Sequence, residues 1–135
     1  MARDIADFIT GLEGLAIAGV TMLAGEPETA PAENELPAGW VMLPTIIGGP
    51  PVTVANSAIR PISYRALLVV VLALGRQRQQ KAYHDALMAT ATAVRDALDA
   101  AQIGFRLSYE MALDKKIQAG SETFYGIAAV VTGTT

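Results

Sequence analysis

The sequence predicts an α+β domain: a single mixed, mainly antiparallel β-sheet with two helices packed on it, plus a projecting hairpin arm. Two segments carry apolar residues at helical spacing, and several others alternate or run apolar at strand length. Their order is helix, short strands, long strand, helix, strand hairpin, and runs of strands joined by two helices suit an α+β layer architecture. With 135 residues the chain is the length of one domain, taken as 1–135 with an arm at about 45–61.

Residues 4–16 form the first helix. Ile5, Phe8, Ile9, Leu12 and Ala16 share one face, Asp4 is placed as its N-cap, and Asp7 favours the positive end of the helix. Gly11 and Gly14 weaken this helix, and Gly19 closes the turn after it. Val20–Leu23 reads as a short strand. Residues 25–39 hold Pro27, Pro31, Pro37 and four glutamates without any period, which predicts an exposed loop.

Trp40–Leu43 reads as a second strand that Pro44 ends. Beyond it, Thr45–Ile47 and Val52–Val54 flank a Gly-Gly-Pro-Pro turn and are expected to pair as the arm, with Pro61 at its far boundary. Ile62–Leu74 reads as a long strand, apolar on both faces in its second half and therefore central. Gly75–Gln79 is a polar connection.

Residues 80–101 are the strongest helix, with Tyr83, Ala86, Leu87, Thr90, Val94, Ala97, Leu98 and Ala101 in one stripe. Its opposite face, Asp85, Met88, Thr92, Arg95, Asp96 and Asp99, carries small or flexible side chains that leave room for a second subunit. Phe105 to Asp114 alternates, with Phe105, Leu107, Tyr109, Met111 and Leu113 on the buried face. Lys115–Ser121 is expected to be the hairpin connection, and Thr123–Thr132 the returning strand.

Composition narrows the function. Charged residues are 17% of the chain and hydrophobic ones 52%, with a mean hydropathy of +0.36, against about 25% charged in an ordinary soluble domain. The longest apolar run, Ala66–Leu74, is too short for a spanning helix of about 20 residues. Asp4, Asp7 and Glu13 occupy the place where a signal peptide needs cations. No membrane partner is expected, and the apolar surplus is read as partner contact.

The chain has no cysteine and one histidine, so thiolate chemistry is excluded and a histidine pair for metal cannot form. His84 reads as a surface residue. The four loop glutamates lack the spacing of a calcium loop, and no glycine-rich phosphate loop is present. The expectation is a non-enzyme without cofactor or metal.

Charge is uneven. Residues 1–58 hold seven acids and one cation, residues 59–81 hold five cations and no acid, and the remainder has six acids and four cations. Arg76, Arg78 and Lys81 lie just before a helix N-terminus, where cations oppose the helix dipole. Their expected role is contact with a polyanion or an acidic partner. Without interleaved aromatic residues, any nucleic-acid contact would be independent of sequence.

Several segments in order, GWVMLP (39–44), YRALLVVV (64–71), YHDALMATATAVRDAL (83–98) and YGIAAVV (125–131), make the chain resemble the tail terminator proteins of long-tailed bacteriophages, also called tail completion or head-tail joining proteins. The resemblance implies a structural virion protein, assembled in the host cytoplasm, that forms a ring, commonly a hexamer. Such a ring caps the tail tube, stops its polymerisation and docks the head, while DNA passes through the lumen. Its implied partners are the tail tube protein and the head-tail connector proteins, and it brings no catalytic residue. The interface expected on this chain comprises Thr45, Ile46, Ile47, Val52, Val54, Ile59 and Arg60 of the arm, with Met88 and Thr92 of the second helix. Alternatives are another neck protein such as a stopper, a tail tube protein, or a small-molecule binding module.

Overall fold

The computed structural model describes residues 4–48, 52–54, 57–59 and 62–134; within these, the side chains of 33, 43–48, 52–54, 57–59 and 62 are not described. The fold is α+β. Helix α1 (Ile5–Glu13) is followed by β1 (Thr21–Met22), β2 (Ala38–Gly48), β3 (Val52–Val54), β4 (Ser57–Ile59) and β5 (Ile62–Leu74). Helix α2 (Lys81–Ala100), β6 (Arg106–Ala119) and β7 (Glu122–Thr134) complete the chain. Five strands form one sheet in the order β1-β2-β5-β7-β6, parallel at β1–β2 and antiparallel elsewhere, and β3 and β4 pair separately.

Both helices pack on one face of the sheet. Phe8 and Leu12 of α1 and Tyr83, Leu87, Val94 and Leu98 of α2 meet Leu68, Val70, Ile127, Ala129 and Val131 in one buried cluster. Helix α1 begins where expected: Asp4 accepts from the Asp7 amide at 2.9 Å and Asp7 accepts from the Asp4 amide at 3.1 Å, a reciprocal cap. It ends at Glu13 with Gly14 as C-cap, earlier than its apolar pattern suggested, and Ala16 is exposed. Gly11 has a packing reason, since a Cβ there would lie 2.7 Å from Ile103.

An aromatic trio joins the two ends of the chain. Phe8, Tyr64 and Phe105 stand with ring centroids 5.3 to 5.9 Å apart. They pack where Gly133 leaves space, because a Cβ on Gly133 would come within 2.5 Å of the Phe8 ring. Aromatic cover of a strand glycine replaces the packing that the glycine lacks.

The other face of the sheet is covered over only part of its area. Trp40, Val69, Val71, Ile117 and Phe124 form a second cluster there, closed by Leu23, Ala30 and Leu36. Residues 23–36 therefore lie on the sheet and cover it, although their sequence reads as a solvated loop. They pass close to the β6–β7 turn, where a Cβ on Gly120 would meet the Ala30 nitrogen at 2.7 Å.

Three strand expectations change. Strand β2 runs through Pro44 to Gly48, and its register against β5 slips by one residue between Met42 and Thr45. A bulge absorbs a residue without an N–H, so Pro44 bends the strand and does not end it. In consequence Thr45, Ile46 and Ile47 pair with Arg65, Tyr64 and Ser63, while Val52–Val54 pairs with Ser57–Ile59. The separate pair is thus 52–54 with 57–59, and the segment at 45–48 belongs to the main sheet. Strand β6 continues through Lys115 and Lys116 to Ala119, with the reversal at Gly120–Ser121.

Candidate interaction surface

The most organised polar group on the molecule sits where β6 bulges. Between Ala112 and Lys115 the register against β7 slips by one residue, and Asp114 takes φ +56°. Aspartate tolerates this left-handed conformation better than branched residues do. The slip sets two neighbours on the helix side: Leu113, expected to be buried, is 46% exposed beside α2, and Asp114, expected on the wet face, points to the helices. On the opposite side of β7, the β5 register slips between Val71 and Ala73. Gly126 lies beside both slips, and a Cβ there would lie 1.9 Å from the Val70 oxygen.

Asp114 gathers the start of α2. Arg78 donates from Nη2 at 2.6 Å and from Nε at 3.1 and 3.2 Å, and the Tyr83 hydroxyl donates at 2.7 Å. The guanidinium also lies 4.7 Å from the centre of the Tyr125 ring. Hydrogen bonds from Arg78 and then Tyr83 hold the Asp114 carboxyl down at about 2, against the opposing effect of burial. Burial, and then the bond to Asp114, push the Tyr83 hydroxyl up. Arg78 is raised by its hydrogen bond to Asp114. At the other end of α2, the Tyr109 hydroxyl donates to Asp99 at 2.9 Å. Burial, followed by that bond, raises the Tyr109 hydroxyl.

This arrangement redistributes the basic stretch. Arg78 binds Asp114 through Nε and Nη2, and Lys81 pairs with Asp85 at 2.7 Å on the surface of α2. Arg76 is exposed in the short 3-10 turn Gly75–Gln77. Two of the three cations therefore each hold a carboxylate of the chain itself. His84 is exposed beside the Tyr83 ring.

Of the interface residues expected from sequence, Met88 is 69% exposed and Thr92 is exposed, one turn apart on the outer face of α2. Thr45, Ile46 and Ile47 are placed on β2, Val52 and Val54 on β3, and Ile59 on β4, with side chains outside the described set; Arg60 lies outside the described residues. Sequence reading missed a neighbouring groove between α2 and β6, lined by Ala91, Thr92, Arg95, Tyr109, Met111 and Leu113. On the bare part of the far face Leu67, Ala112, Ala128 and Val130 line a shallow hollow rimmed by Glu110 and Lys115. Val130 is 37% exposed there. The signal for the hollow was present, since Thr123–Thr132 is apolar on both faces.

Strand β6 forms the outer edge of the sheet along its 14 residues, unpaired on that side among the described residues. Open apolar ground thus lies on both sides of an open strand edge. Among the described residues no group of three or more His, Cys, Asp or Glu is placed to hold a metal ion, and no helix is long and apolar enough to cross a membrane. Comparison of the chain with protein-family models, with curated proteins and with solved structures found no match in any of the three.

Proposed function

We propose that the chain is a structural virion subunit, a tail terminator that assembles as a hexameric ring on the end of a phage tail tube. The ring stops polymerisation of the tube protein, presents a docking surface to the head-tail connector, and lets DNA pass without sequence-specific contact. The proposal assigns no catalytic residue and no cofactor. The observation that carries it is uncovered apolar ground on two sides of the domain: the groove beside α2, near the exposed Met88, and the hollow on the far face of the sheet. Exposed ground of this kind marks contact with other proteins. The segments that carry the family resemblance fall on β2, β5, α2 and β7, which are the scaffold of the domain.

The test is electron microscopy of tails assembled with and without the chain. With it, tails are uniform in length and joined to heads. Without it, tubes overgrow and stay unattached. Tails of normal length that still join heads in its absence would remove the proposal.

A further inference from the structure

We infer that β6 pairs with β6 of a second copy of this chain, antiparallel about Ser108. The inference goes beyond the ring reading, because a ring repeats a contact between two different surfaces, whereas this contact uses one surface twice and closes at two copies.

The strand carries its own complement. With Ser108 opposite Ser108, Arg106 falls opposite Glu110 of the second copy, and the reciprocal pair forms across the axis. Leu107 falls opposite Tyr109. Residues directly opposite in an antiparallel pair share a face. The two charge pairs therefore lie on the far face, where Arg106, Ser108 and Glu110 are exposed. The apolar pairs lie on the helix face, where Leu107, Tyr109 and Met111 pack against the main core. Within one copy, Arg106 and Glu110 stand four residues apart on a strand, about 13 Å, so they cannot satisfy each other.

The extent of the pairing is also set by the chain. Gly104, with φ +88°, precedes the strand, and the bulge at Leu113–Asp114 followed by Lys115 and Lys116 ends its regular part. Bulges and lysines are the usual guards of an open edge. Here they protect only the second half of β6, and leave Arg106–Met111 as a regular edge. A strand that repelled every partner would carry like charges along it. This one carries opposite charges at positions related by a two-fold axis through Ser108, with Leu113 and Val130 exposed nearby on the two faces.

Sedimentation of the purified chain over a dilution series tests the inference. The wild-type chain associates as dimers. Arg106→Glu and Glu110→Arg each place like charges opposite each other twice, and each raises the dissociation constant about tenfold. The two changes together in one chain restore association, and added salt reduces the differences. A second measurement does not depend on charge. The chain has no cysteine, so Ser108→Cys gives a disulfide-linked dimer on mild oxidation, while Ala112→Cys, whose position faces residue 104, does not. A wild-type monomer at every dilution overturns the inference. So do single reversals without effect, a double reversal no better than either single one, or equal cross-linking at 108 and 112. A ring whose mass survives all these changes overturns the β6 contact and leaves the terminator reading standing; overgrown tails are the separate test of that reading.

Discussion

Arg78 Nη2 lies 2.6 Å from Asp114 Oδ2 across 36 positions of sequence, and this contact ties the start of α2 to the bulge of the edge strand. The Arg78 side chain is 40% exposed and that of Asp114 30%, so water screens the pair and its strength comes from its several donors. Asp114→Asn keeps the shape and removes the charge. It should lower stability by about 1 kcal/mol at neutral pH, the discounted worth of a partly exposed, multiply hydrogen-bonded carboxylate. Urea unfolding measures this.

The same carboxyl gives a pH signature. Its folded value, about 2, lies below the ordinary 3.8, so the unfolded chain takes up the proton first. The stability that Asp114 adds is complete above the ordinary value and is lost as pH falls through the folded one. The gap between wild type and Asp114→Asn should therefore be constant from neutral pH down to the ordinary carboxylate range, and should close below it. Unfolding curves across that interval check the sign.

Charge reversal separates the cations before α2. Arg78→Glu sets a second carboxylate against Asp114 and removes the cation from Tyr125, so its melting temperature should fall clearly. Lys81→Glu loses only an exposed pair one turn away and places an acid at a helix N-terminus, which the helix dipole favours. Its melting temperature should stay near that of wild type. A loss of head joining in Arg78→Glu would then reflect folding, whereas a loss in Lys81→Glu would reflect contact with a partner.

Glycines offer the steepest contrast. Gly126→Ala drives a methyl group against the Val70 carbonyl between two register slips, and soluble expression should be lost. At Gly75 the nearest atom to a new Cβ is 3.6 Å away, in ordinary contact, and φ is not left-handed. Gly75→Ala should be within about 0.5 kcal/mol of wild type, as a tolerated surface change is. Circular dichroism of the two variants checks the pair.

Trp40 is the only tryptophan, is fully buried, and its indole N–H has no hydrogen-bond partner among the described residues. Its emission should be blue-shifted and resistant to iodide. Trp40→Phe removes an unpaired donor along with some packing, so its cost should stay below the 3–5 kcal/mol or so of a large-to-small aromatic deletion. Chemical denaturation of that variant measures it.

Much of the scaffold was legible because one physical rule decided each element. Helix α2 has a full stripe over its length, and Asp4 has the side chain and position of a cap. Other elements depended on two rules in conflict. Pro44 lacks the N–H of a regular strand, yet an extra residue beside it lets the pairing resume. Leu113 and Asp114 continue an alternating pattern in the sequence, and only the slip against β7 brings Asp114 to the helices on the same side as Leu113. The cover supplied by residues 23–36 rests on three apolar side chains without a period, which become a surface only once the sheet exists. The Arg78 contact was invisible for a similar reason: its partner comes from a distant strand.

Phe8 against Gly133 has a consequence for time. The contact joins residues near opposite ends of the sequence, and the strand between β5 and β6 is itself the last in chain order. The β6–β7 hairpin closes through a short turn, but docking it on β5 and closing α1 over it both require long loops to be fixed before they are rewarded. Folding should therefore be slow for the size of the domain. While it lasts, the apolar second faces of β5 and β7 stand open to other chains, so the same ground that is left bare in the folded domain is a hazard before folding is complete.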